Sequence, residues 1–123
     1  MAARDTRDLV QIVYVSTAAT TAPEAVTDVA ERSRRSNEAR GLTGLKVHHG
    51  RHFYAILEGP RRKVFDRIEE IIGERAEQEL RILREEPIEH RRFANWSFGT
   101  LPPTVTVGDR PDEFLRRFCR SLR

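Results

Sequence analysis

LTGLKVHHGRHFYAILEGP, residues 42–60, decides the fold. Apolar residues alternate on both sides of His49-Gly50, a dipeptide suited to a tight turn, so the stretch predicts two short antiparallel strands folded back at that point. Leu45 and Val47 lead in. On the way out, the two-residue period of a strand sends Phe53, Ala55 and Leu57 to one face and Tyr54, Ile56 and Glu58 to the other. Both faces are therefore partly apolar, and such a strand needs cover twice: one layer of helices, and another from a C-terminal segment or a second subunit.

The rest of the chain reads as that cover. Residues 9–16 (LVQIVYVS) are β-branched and free of Gly and Pro, a strand with Ile12, Tyr14 and Ser16 on one face. Met1 to Arg7 is a polar lead-in. Thr21-Ala22-Pro23-Glu24 has the form of a capping box with proline at the first helical position. In the helix it opens, Val26, Val29, Ala30 and Ser33 fall at i, i+3, i+4 and i+7, and the stripe continues to Asn37, which should point inward; Gly41 ends the segment. Gly59-Pro60 closes the hairpin and starts a second helix with Val64, Phe65, Ile68, Ile71 and Ile72 on its apolar stripe and Gly73 at its end.

Residues 80–83 read as a short strand, and residues 92–101 (RFANWSFGTL) as a last strand ended by Pro102-Pro103. Residues 111–122 place Phe114, Leu115, Phe118, Cys119 and Leu122 on one helical stripe, the candidate cover for the second sheet face. The order βαββαββ, with two helices on one sheet face and a C-terminal amphipathic helix, predicts an α+β ferredoxin-like sandwich. It divides into a domain at 1–103 and a helical extension at 104–123 that packs on the domain or on a partner.

Composition narrows the function classes. A chain of 123 residues forms one core without staples, and its single cysteine cannot make an internal bridge. With neither a long apolar run nor a signal peptide, a cytoplasmic protein without a membrane segment is expected. The net charge of +3 arises from 22 basic against 19 acidic residues, a nearly balanced surface that argues only weakly for nucleic acid. His48, His49 and His52 cluster at the hairpin, but neighbouring strand residues point to opposite faces, so no metal site is expected. Arg61, Arg62 and Lys63 at a helix start read as a solvated basic patch, or as an anion site. Glu85 and Glu86 read as surface charge partners. No nucleophile, base and orienter stand together, so the chain does not read as an enzyme.

Tyr14 and Asn37 are the polar residues expected between the sheet and the first helix. Either they satisfy each other or nearby backbone in an apolar core, or they line a slot for a flat heteroaromatic ligand.

The succession IVYVS, SNEARGLTGLKV, FYAILEGP and ILREEPIEHRRFANWS resembles the BLUF domain, the sensor of blue light using FAD, over about residues 9–99. It includes Tyr14 in strand 1, Asn37 before the LTG turn, Leu57-Glu58-Gly59 closing strand 3, and Arg92-Phe93 followed by Trp96. The resemblance implies the same ferredoxin-like fold, with the isoalloxazine ring of FAD or another flavin between the two helices and the sheet. It implies Tyr14, Val29, Ser36, Asn37, Phe53, Ala55, Ile71 and Trp96 as the flavin-binding positions, and output through a protein partner or a homo-oligomer.

The chain is a divergent member by the same comparison. Ala55 stands where the family has the glutamine between tyrosine and flavin, and alanine has neither donor nor acceptor, so the usual light-driven relay cannot run. Glu70 stands where the family has an arginine near the flavin's pyrimidine edge. Glu74-Arg75-Ala76-Glu77 replaces an Asp-Pro-Arg-His run, Ser36 an asparagine or histidine, and Phe98 a methionine. The expected function is a BLUF-like sensory and regulatory module. The alternatives are a flavin-free protein-interaction domain and an RNA-binding module reading bases on Tyr54, Val13, Val15 and Ile56 of the open sheet face, where a single aromatic stands.

Overall fold

The computed structural model describes residues 8–121. They form β1 (Leu9–Ala18), α1 (Pro23–Ala39), β2 (Thr43–His49), β3 (His52–Pro60), α2 (Arg61–Gly73), β4 (Glu77–Ile88), β5 (Trp96–Thr100) and α3 (Pro111–Ser121). The five-stranded sheet runs β4-β1-β3-β2-β5. β1 and β3 pair antiparallel at its centre, and β5 joins β2 in parallel. This is the ferredoxin-like α+β sandwich with a fifth strand added at one edge.

The hairpin turns at Gly50-Arg51, one residue later than the sequence suggests, because His49 pairs with His52 and Gly50 supplies the positive φ of 61° that a two-residue turn requires. Gly44 is fixed by contact: a Cβ there would stand 1.9 Å from the carbonyl oxygen of Ile56 on β3. α1 and α2 cover one sheet face. Val10, Ile12, Leu57, Val64 and Ile68 form one apolar cluster there, and Ala18, Val26, Val29 and Phe53 a second. On the opposite face Val13, Val15, Leu45, Val47, Tyr54 and Ile56 pack under Leu101, Val107 and Leu115 of the C-terminal segment and α3. The two-sided reading of β3 holds, and the RNA-type open face is covered. Cys119 and Leu122, expected on the same stripe, lie outside the residues whose side chains are described, as does the lead-in before Asp8.

Four local expectations are corrected. Thr21 does not cap α1: Ala22 occupies the N-cap without a side-chain bond, and Pro23 follows at N1. Ile72 is 61% exposed, because the α2 stripe runs through Arg67 instead. β4 spans twelve residues, not four. As an edge strand with Pro87 near its end it is largely exposed on both sides, and its polar sequence hides its length. β5 begins only at Trp96, because the amides of Arg92 and Phe93 donate to Glu58 Oε1 (2.8 and 3.0 Å) instead of to a neighbouring strand. That buried Glu58 also accepts from Gln11 Nε2 at 2.7 Å. Arg61, in the basic run, is paired with Asp8 (3.2 Å) and Glu85 (3.3 Å).

Candidate functional site

The space between the sheet and α1/α2 is where the fold places polar side chains. On α1 the inward stripe passes from Val26 and Val29 to Ser33 and Asn37. On α2 Arg67 shares the buried face with Val64, Ile68 and Ile71. The sheet contributes one row of direct cross-strand partners: Tyr14 on β1 lies opposite Ala55 on β3, and Ala55 lies opposite Lys46 on β2. Tyr14, Ala55 and Lys46 are each 0% exposed.

Lys46 Nζ donates to Glu77 Oε2 at 2.6 Å and to Ser33 Oγ at 3.2 Å. Glu77, the first residue of β4, takes Ser16 Oγ at 2.7 Å and the Tyr14 hydroxyl at 3.4 Å on its other oxygen. The ammonium lies 5.6 Å from the Tyr14 ring centroid and 5.7 Å from that of Phe53, within reach of both π-faces. Burial lowers the Lys46 pKa, against the attraction of Glu77. Burial, reinforced by the Glu77 charge, pushes the Tyr14 phenol well above its ordinary value.

A second group ties the helices together. Arg67 Nε donates to Asn37 Oδ1 at 3.0 Å and its NH1 to Glu70 Oε1 at 2.5 Å, with Glu74 3.6 Å away. Glu70 also takes Arg40 at 2.7 Å and Ser36 at 2.9 Å from α1. Burial pushes the Glu70 carboxyl up, but hydrogen bonds from Arg40 and Ser36 and the charges of Arg67 and Arg40 outweigh it and hold the carboxyl low.

Of the residues singled out in the sequence, Tyr14, Ala55, Ile71 and Trp96 share one cluster, and Val29 and Phe53 stand in the adjoining one. Asn37 is buried against Arg67 and Ser36 sits at the rim on Glu70. Tyr14 and Asn37 do not bond each other: each has a charged partner instead. Trp96 Nε1 is buried without a hydrogen-bond partner among the described residues. Phe98 tilts against Phe53, centroids 6.4 Å apart. Lys46, Arg67, Glu77, Ser16 and Ser33 carry much of the network, and their part in it was missed. Two of them left a signal: Lys46 lies between Leu45 and Val47 in a strand apolar on both faces, and Arg67 falls three residues after Val64 and four before Ile71, on the buried stripe. Among the described residues, no group of three or more His, Cys, Asp and Glu side chains is placed to hold a metal.

Residues 9–99 match the family described as BLUF, sensors of blue-light using FAD. Among solved structures, the dark state of BlrB, a BLUF protein, superposes with a TM-score of 0.70 at 29% identity, covering 89% of this chain and 83% of that one. The photo-activated state of BlsA gives 0.72 at 18% identity over 89% and 93% of the two chains. A bacterial light-regulated adenylyl cyclase gives 0.70 at 22%, over 94% of this chain and 35% of that one. These last two share the fold. No curated protein matches the chain. The chain belongs to the BLUF family, and is a sensory and regulatory module of that class.

The family likeness implies a ring between the helices and the sheet, and the donor set there does not suit it. Tyr14, Ala55 and Lys46 are fully buried among the chain's own side chains. The Glu77 oxygens and the Lys46 ammonium are bonded to one another and to the chain's own hydroxyls. A flavin placed there would have to part the buried Lys46–Glu77 pair and leave each ion without its partner, which is strongly destabilising.

Proposed function

We propose that the chain is a BLUF-type regulatory module whose output is a protein contact, and in which the light-driven relay of the switching members has no counterpart. One observation carries this reading: the direct cross-strand partner of Tyr14 is Ala55, whose methyl group neither donates nor accepts a proton. The sensory part is assigned to residues 1–103 and an extension to residues 104–123, of which Pro111–Ser121 is helical. The match covers only 35% of the light-regulated adenylyl cyclase, which supports the view that such a module acts on something beyond itself. The proposed contact is with a protein partner or a second copy of the chain, and the expected setting is the cytoplasm. None of the described helices is long and apolar enough to cross a membrane.

The test is a light-minus-dark absorption spectrum of the protein mixed with FAD. Wild type shows no reversible red shift. A reversible shift with Ala55 in place overturns the reading.

A further inference from the structure

We infer that the buried Lys46–Glu77 ion pair takes the place of the flavin ring, so that this chain completes its own core and binds no flavin. The residues that make this possible form one row. Ala55 is flanked on the same sheet face by Tyr14 and Lys46, both its direct cross-strand partners. With a side chain of one carbon between them, the lysine stem reaches over Ala55, and its ammonium comes to rest 5.6 Å from the Tyr14 ring centroid. A glutamine at 55 would claim that volume. Alanine at 55 and lysine at 46 are thus two halves of one replacement: the first vacates the space and the second fills it.

The pair is fully partnered. Glu77 Oε2 is held by Lys46 at 2.6 Å, and Glu77 Oε1 by Ser16 at 2.7 Å and Tyr14 at 3.4 Å. Lys46 reaches Ser33 on α1 and lies within reach of the faces of Tyr14 and Phe53, the surfaces on which a flat ring would stack. Since both ions are almost wholly buried, removing either one strands the other in a low-dielectric interior, while removing both together does not.

This inference rests on the family reading, and flavin titration separates their failures. Protein purified without denaturation is expected to be colourless. FAD, FMN and riboflavin at about 100 μM should leave flavin fluorescence unquenched and the melting temperature unmoved, both on direct mixing and after refolding in excess FAD. Lys46→Leu and Glu77→Leu alone should each lower the melting temperature by roughly 10–20 °C, and the double substitution should lower it by clearly less than the sum of the two, the remaining loss being that of the Ser16 and Tyr14 hydroxyls without their acceptor. A yellow protein, or flavin binding in the micromolar range, overturns the inference, as do single losses that simply add in the double variant. If a single variant fails to fold, the wild-type titration still decides. Flavin bound without a reversible light shift sinks this inference and leaves the missing relay standing, whereas flavin bound with a shift sinks both.

Discussion

The two faces of the same sheet are built on different physical terms. Under α3, Val13, Val15, Leu45, Val47, Tyr54 and Ile56 meet Leu101, Val107 and Leu115, and the cohesion is that of apolar area withdrawn from water. Under α1 and α2, Lys46, Arg67, Glu77, Ser16, Ser33 and Asn37 are buried among Val, Ile and Leu side chains. Each added apolar contact on the first face stabilises the fold directly. On the second, desolvation consumes most of what the ion pairs return, so its charged groups add little net stability yet cannot be removed singly. The apolar body of the first face is tolerant and the second is exacting; the exception on the first is its edge, where buried Glu58 takes Gln11 and the amides of Arg92 and Phe93.

The sharpest way to break this contrast is Glu77→Leu, which leaves the Lys46 ammonium buried with Ser33 as its remaining hydrogen-bond partner; chemical denaturation should show a loss of about 3–5 kcal/mol. The Lys46→Leu/Glu77→Leu double variant should lose clearly less than the sum of the two singles, its residual loss being that of the buried Ser16 and Tyr14 hydroxyls left without their acceptor, and a double loss as large as the sum would abolish the distinction between the faces. On the apolar side, Leu115→Ala should cost about 2–3 kcal/mol, with no second-site charge able to rescue it. An unchanged denaturation midpoint would mean that α3 adds nothing to the fold.

The smallest effect is at the rim. The folded Glu70 carboxyl sits below its unfolded value, so its contribution is present above about pH 4.3 and is lost as pH falls through the lower folded value. With its side chain 37% exposed, solvent screens that contribution to below about 1 kcal/mol. Wild type and Glu70→Gln should therefore differ slightly at neutral pH and converge in acid. Curves that stay parallel down to the acid transition would place the Arg40–Glu70 clasp outside the stability of this face.

The hairpin, the order of elements and the covered second face were legible in the sequence because each rests on a period: two for β3, and three-to-four for α1, α2 and the stripe bearing Leu115. β4 was not, since an edge strand bathed on both sides has no period to show. Of the site, Tyr14, Asn37 and Ala55 could be read from pattern and family likeness. The ion pair could not: Lys46 and Glu77 belong to strands at opposite sides of the β1–β3 centre, and only the folded sheet brings them within 2.6 Å. Arg67 is buried on the α2 stripe, whereas Ile72, expected on it, lies off that face and is exposed, because an arginine carries no apolar signal to the stripe it belongs to.

The carboxylate of Glu58 has a consequence for the order in which the chain assembles. It closes β3 and receives the amides of Arg92 and Phe93, so the approach to β5 is anchored by a group that must itself be in place first. β5 then runs parallel to β2, a pairing that no short turn can nucleate. The hairpin pairs neighbours in sequence, whereas β5 needs the latch in place, so it is expected to complete the sheet as a late step. Trp96, the chain's single tryptophan, is the first residue of that strand and is buried in it. The protein thus carries a native fluorescent clock on its last strand: in a refolding trace, tryptophan emission times the closing of the sheet, while far-ultraviolet ellipticity times the helices.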